Sequence, residues 1–206
     1  VQTTLAVGSL AALDDVVTNG ELLVVTGESD VVVLPTAAAF IGATEAAIEL
    51  SVHFEASGAR VEALMHIDRS SSDERYFATR VRDADIVVLS DGSALHAKSV
   101  WHETRIGEAI RDAHFVVAIG SVASVLGDTM IDPRGGAPTM GLGYRHGVVL
   151  ATAASAEQLF RTRTLLGEDQ ILAVLGPSGV LHGDGERWRV VTGNVTVTRG
   201  HEQVEL

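Results

Sequence analysis

The chain has 206 residues, 46% of them apolar and 20% charged, with no cysteine and a formal charge of −12. A chain of that length and composition can bury a full core, and it reads as one domain over residues 1–206. The acidic excess repels phosphate backbones and anionic membrane surfaces, and the lack of cysteine removes disulfides, thiolate metal sites and a cysteine nucleophile. The longest apolar stretches, such as "VVLATAASA" (148–156), fall short of the roughly 20 residues a bilayer span needs. No basic-then-apolar leader precedes Leu5, so the expected location is the cytoplasm.

Short β-branched runs alternate with stretches of helical composition, the pattern of a parallel sheet covered by helices. The expected strands are "TLAV" (4–7), "VVVLP" (31–35), "RVEALM" (60–65), "DIVVLS" (85–90) and "FVVAI" (115–119), the last in the middle of the sheet. Between them, 43–57 places Ala47, Leu50 and Phe54 on one helical face and ends at Gly58. Residues 94–113 place Val100, Ile106 and Ile110 at comparable spacing and read as one helix. Near the end, "WRVVTGNVTVTRG" (188–200) alternates Val and Thr around Gly193-Asn194 and reads as a late antiparallel β-hairpin. The expected fold class is α/β, a three-layer sandwich with a central, mostly parallel sheet flanked by helices, and a late antiparallel hairpin near the C-terminus.

The segment "VVAIGSVASVLGDTMIDPRGG" (116–136) has the layout of a buried strand turning sharply into a helix, where many hydrolases hold a nucleophilic serine. The residue read at its tip is Val122. With "VVVLPTAA" (31–38), "ADIVVLSDG" (84–92), "MIDPRGG" (130–136), "GLG" (141–143) and "GERWRVVTGNVTV" (185–197), this turn resembles the cyanophycinase/dipeptidase E family of serine peptidases. The resemblance implies the class I glutamine amidotransferase-like fold and, for an active member, cleavage of aspartyl or β-aspartyl peptides.

Carried over residue by residue, the resemblance implies a degenerate site. The family's nucleophile turn, roughly Gly-[Ser/Thr]-Ser-Ala-Gly-Ala, lies on Gly120-Ser121-Val122-Ala123-Ser124-Val125, so its serine position is Val122. Valine has no oxygen to attack a carbonyl. A β-branched residue with positive φ would carry about 1–3 kcal/mol of strain, so the corner is expected to have relaxed. The family's double-glycine segment, which helps form the oxyanion hole, corresponds to Ser90-Asp91-Gly92-Ser93. There Asp91 replaces a glycine, either as a carboxylate near the place of a developing oxyanion or as a turn or cap residue. The family's histidine segment matches 147–160, which contains none.

Ser121, Ser124 and Ser93 are the alternative nucleophiles, with His96 or His102 as the base. Ser121 should point to a different side from Val122, and Ser124 falls where a hydroxyl bonds the backbone. His96 and His102 are six apart and share no helical face, while His66 and Asp68 read as solvated loop residues; no metal site is expected. Arg134 is a candidate for holding a carboxylate ligand or for a local salt bridge. No phosphate-cradling glycine motif occurs, and no cofactor is expected. The expected function is a pseudoenzyme that binds a small peptide-like ligand or a partner protein, with a homodimer among the expected assemblies. The alternative is a serine-type hydrolase of a small peptide or amide through Ser121 or Ser124.

Overall fold

Strands covered by helices on both faces have to be apolar at almost every position, and four of the five expected runs are. The computed structural model describes residues 2–20, 22–152, 154–185 and 187–206. In chain order it begins β1 (Thr3–Val7), α1 (Leu10–Asn19), β2 (Asp30–Leu34), α2 (Ala43–Glu55), β3 (Arg60–Ala63) and α3 (Arg75–Asp83). It continues with β4 (Ile86–Leu89), α4 (Ala94–Trp101), α5 (Arg105–Asp112) and β5 (Phe115–Ile119), then a 3₁₀ segment, Gly120–Leu126. The last third holds β6 (Thr129–Ile131), β7 (Pro138–Met140), β8 (Val149–Thr152), α6 (Ala156–Leu165) and β9 (Ile171–Leu175). It closes with β10 (Val180–Asp184), β11 (Arg187–Thr192), β12 (Val195–Arg199) and β13 (Glu202–Gln203).

The main sheet has the order β11-β10-β1-β5-β4-β2-β3, which puts β5 at its centre. Strands β1, β5, β4, β2 and β3 are parallel, and β10 and β11 add antiparallel at one side. Strand β3, at the opposite edge, is the one that tolerates Arg60 and Glu62. Alternation along the strands divides the core. Val31, Val33, Val88, Val117 and Ile119 pack with Leu13, Leu50 and Phe54 beneath α1 and α2. Val32, Leu34, Val87, Leu89 and Val116 pack with Trp101, Ile106 and Ile110 beneath α3, α4 and α5. A second sheet, β13-β12-β9-β8, sends Leu150, Ala173, Leu175 and Val197 into that second core. No described helix is long and apolar enough to cross a membrane.

Two expectations need correction in detail. Residues 94–113 form two helices because Thr104 caps the second, its Oγ1 accepting from the Gly107 N–H at 3.3 Å, while Glu103 takes a left-handed φ of 53°. Late antiparallel strands are present, but β11 and β12 do not pair with each other. β11 joins β10 in the main sheet and β12 joins β9 and β13 in the second, so Gly193-Asn194 carries the chain between sheets.

Candidate functional site

Ligand sites in open α/β sheets form beyond the carboxyl ends of the strands, and here β1, β5 and β4 end side by side at Val7, Ile119 and Leu89. Directly after β5 stands Gly120, with φ +61°. It is the residue at the corner. The corner expected at Val122 therefore lies two residues earlier, because pairing of Ile119 with Val7 ends the strand there. Val122 is fully buried in the core beside Ala123, also fully buried, and neither reaches the cleft. Glu103 is the one non-glycine residue with positive φ among the described residues, so Val122 carries no left-handed strain, as expected.

The space that a side chain at Gly120 would need is filled by Asp91. A Cβ placed on Gly120 would lie 2.2–2.4 Å from the Asp91 carboxylate atoms, well inside contact distance. The carboxylate is held there by backbone donors. Its Oδ1 accepts from the Gly92 N–H at 2.7 Å and from the Ser121 N–H at 2.8 Å. Two N–H groups converging on one oxygen at these distances make the geometry that stabilises an oxyanion in acyl transfer. Here the anion is the chain's own side chain. Asp91 is an exposed residue in the bend before α4, as expected of a turn residue, with its carboxylate on an N–H pair, while the cap of α4 is Ser93, whose Oγ accepts from the His96 N–H at 3.2 Å. Gly92 is fixed at φ +145°, where a Cβ would lie 2.2 Å from the Ala37 carbonyl oxygen, so its N–H is firmly oriented.

Two clefts meet at Asp91. One, of about 280 Å³, is lined by Gly8, Asp91, Gly120, Ser121, Thr152 and Asn194 among others, and lies between the strand ends and the second sheet. The other, of about 360 Å³, opens on the α1–α2 side and includes Ser9, Glu45, Glu49, Ser90 and Asp91. Ser121 lines the first cleft and also a recess of about 90 Å³ behind it. Ser124 is nearly buried, and its Oγ donates to the Ser121 carbonyl at 2.8 Å, a backbone role. No histidine lines these three spaces among the described residues. The His96 Nε2 lies 2.7 Å from the Ile67 carbonyl, and its ring stacks edge-on against Phe40 at 4.6 Å. His102 sits 3.7 Å from Glu103 beside a separate cleft.

The remaining candidates lie away from these clefts and bond locally. Arg134 forms a two-pronged pair with Asp132 in its own turn, at 3.0 and 2.7 Å, and this pairing lowers the Asp132 carboxyl to about 2. His66, expected to be solvated, is fully buried, with Nε2 3.0 Å from the Ser72 Oγ. Burial in a low-dielectric setting pushes its pKa down to about 4, which keeps it neutral. Asp68 next to it is exposed and caps the short turn after it by accepting from the Ser71 N–H at 3.1 Å. The described residues include an Asp–His pair elsewhere, Asp128–His146 at 2.8 Å, but the cleft Asp128 lines shares no residue with those at Gly120.

The geometry makes one substitution informative at once. Val122→Ser places a hydroxyl in the apolar core, so it should cost about 1–3 kcal/mol in a urea melt and produce no peptide cleavage. Turnover by that variant would return the corner to Val122.

No protein-family model matches the sequence, and no curated protein matches it. Solved structures do share its fold. A peptidase from an acI-B1 Actinobacterium superposes with a TM-score of 0.77 at 17% identity, over 100% of this chain and 94% of that one. A chain titled "Putative Peptidase E Protein", from Listeria monocytogenes EGD-e, gives a TM-score of 0.67 at 14% identity, over 94% of this chain and 99% of that one. The likeness to these peptidase structures is one of fold.

Proposed function

We propose that this chain is a non-hydrolytic binding protein built on a peptidase-like scaffold, with Gly120 at the place of the nucleophile and Asp91 filling the place of the oxyanion. The observation that carries this reading is the Asp91 carboxylate on the Gly92 and Ser121 N–H groups, in the volume a residue-120 side chain would need. A carbonyl substrate has no attacking oxygen at that corner. A developing negative charge would also meet a carboxylate already seated on both donors, the reverse of what catalysis requires. What the scaffold retains is the pair of clefts, suited to a small peptide-like or amine ligand or to a segment of a partner protein.

The competing reading, a hydrolase using Ser121, has in its favour that Ser121 lines the corner cleft and the recess behind it. It lacks a base, since no histidine lines either space among the described residues. The two separate on one experiment. The purified protein is incubated with an alkyl fluorophosphonate and mapped by peptide mass, and in parallel with aspartyl dipeptides and β-aspartyl-arginine followed by chromatography. The expected result is no labelled serine and no turnover. Labelling of Ser121, Ser124 or Ser93, with saturable turnover abolished by its alanine variant, would establish the hydrolase and end the binding-protein reading.

A further inference from the structure

The cleft on the α1–α2 side of Asp91 has a composition that selects a ligand class. Three carboxylates line it, from Glu45, Glu49 and Asp91, and no lysine, arginine or histidine lines it among the described residues. Glu45 and Glu49 are four apart on α2 and so share a helical face, while Asp91 closes the cleft from the end of the sheet. Carboxylates with no cationic side chain beside them, around a concave, partly apolar wall, focus a negative potential, which the chain's net charge of −12 reinforces.

A second observation, independent of that charge, comes from Ser90. It is 2% exposed, lines the same cleft, and its Oγ has no hydrogen-bond partner among the described residues. Strand alternation sets its direction. Ile86 and Val88 face the core under α1 and α2, and Ser90 continues that face, so its hydroxyl is aimed to the side where the cleft opens. A buried hydroxyl without a partner is costly, and a donor brought by a ligand would satisfy it. The same cleft is also lined by apolar side chains, Leu10, Ile41, Leu50 and Ile119, which suits a carbon chain and not a bare metal ion.

We propose that this cleft binds a primary amine or guanidine carried on a short apolar chain, with the cationic group at Ser90, Asp91, Glu45 and Glu49 and the chain against Leu10 and Ile119. The inference extends the binding-protein reading by naming the ligand class. Ser90 Oγ accepts one N–H of the cation, the carboxylates supply charge, and a ligand with its own carboxylate next to the amine is disfavoured.

The test is a calorimetric titration of the full chain with n-butylammonium and n-butylguanidinium, against butyrate and n-butanol, at fixed ionic strength. Saturable binding of the cations is expected, with no saturable binding of butyrate or butanol. Glu45→Gln with Glu49→Gln should weaken cation binding at least tenfold. Ser90→Ala should weaken it several-fold while leaving the urea midpoint within error or raised, because it removes an unpaired buried hydroxyl. Equal binding of cation and anion, no binding at all, or full binding by the Glu45→Gln/Glu49→Gln variant would overturn the proposal. Those outcomes are separate from serine labelling, so loss of the cation site leaves the non-hydrolytic reading standing, and a labelled serine removes that reading whatever the cations do.

Discussion

Gly120→Ala is expected to destabilise the native chain by about 2–4 kcal/mol, and by only about 1–2 kcal/mol when Asp91 is replaced by glycine. Two effects add in the native background. A Cβ at φ +61° pays the left-handed backbone penalty, and the same Cβ lies 2.2 Å from the Asp91 Cγ, which drives the carboxylate off its two N–H donors. The site is exposed, so each hydrogen bond lost counts for about 1 kcal/mol. In Asp91→Gly the second effect is gone and only backbone strain remains. Urea melts of the four proteins in this cycle measure the coupling directly. A coupling within error of zero would mean that Asp91 does not occupy the space beside Gly120.

Lowering the pH from 7.5 to 5 is expected to cost the fold about 2 kcal/mol through His66 alone. Its folded pKa of about 4 lies below the ordinary 6.5, so between those values the unfolded chain holds more protons than the folded one. Stability therefore rises with pH through that window and is lost as pH falls through 6.5. His182, half-buried and pushed down mainly by desolvation, adds to the same slope. The carboxyls of Glu62, Asp68 and Asp132 are depressed, and their contribution disappears only as pH falls below the usual carboxylate range, outside the interval chosen. Urea midpoints at pH 5 and 7.5 should converge in His66→Gln, apart from the share of His182. An unchanged slope in that variant would place the acid lability elsewhere.

The parallel strands were legible because burial on both faces leaves a near-continuous apolar run, and Phe115–Ile119 could be placed at the centre of the sheet from those runs together with the framework of the family the sequence resembles. The partners of the late strands were not. Val/Thr alternation around Gly193-Asn194 fits a hairpin and fits equally two strands that part into separate sheets; pairing with Val180–Asp184 and Ile171–Leu175 decides it, and both lie far back in the sequence. Thr104 was a readable cap inside 94–113, but the apolar spacing of Val100, Ile106 and Ile110 runs across the break and hides it. At the site, the serine-containing motif suggested Val122 as the tip, whereas the end of β5 is set by its register with β1 and puts Gly120 there. The loss of the glycine pair at Asp91 was visible in the sequence. That its carboxylate would lie on the Ser121 N–H, 30 residues away, depends on how the ends of β4 and β5 are brought together in space.

Asp91 sits on two backbone donors, and amide NMR reads both of them. In the native chain the Gly92 and Ser121 amide protons should resonate downfield and exchange slowly, as donors to a carboxylate do. In Asp91→Ala both should move upfield together and lose protection, while the amides along β5 keep their positions. If either resonance is unaffected by removing Asp91, its carboxylate is not the anion in that hole, and the proposal that it blocks hydrolysis fails with it.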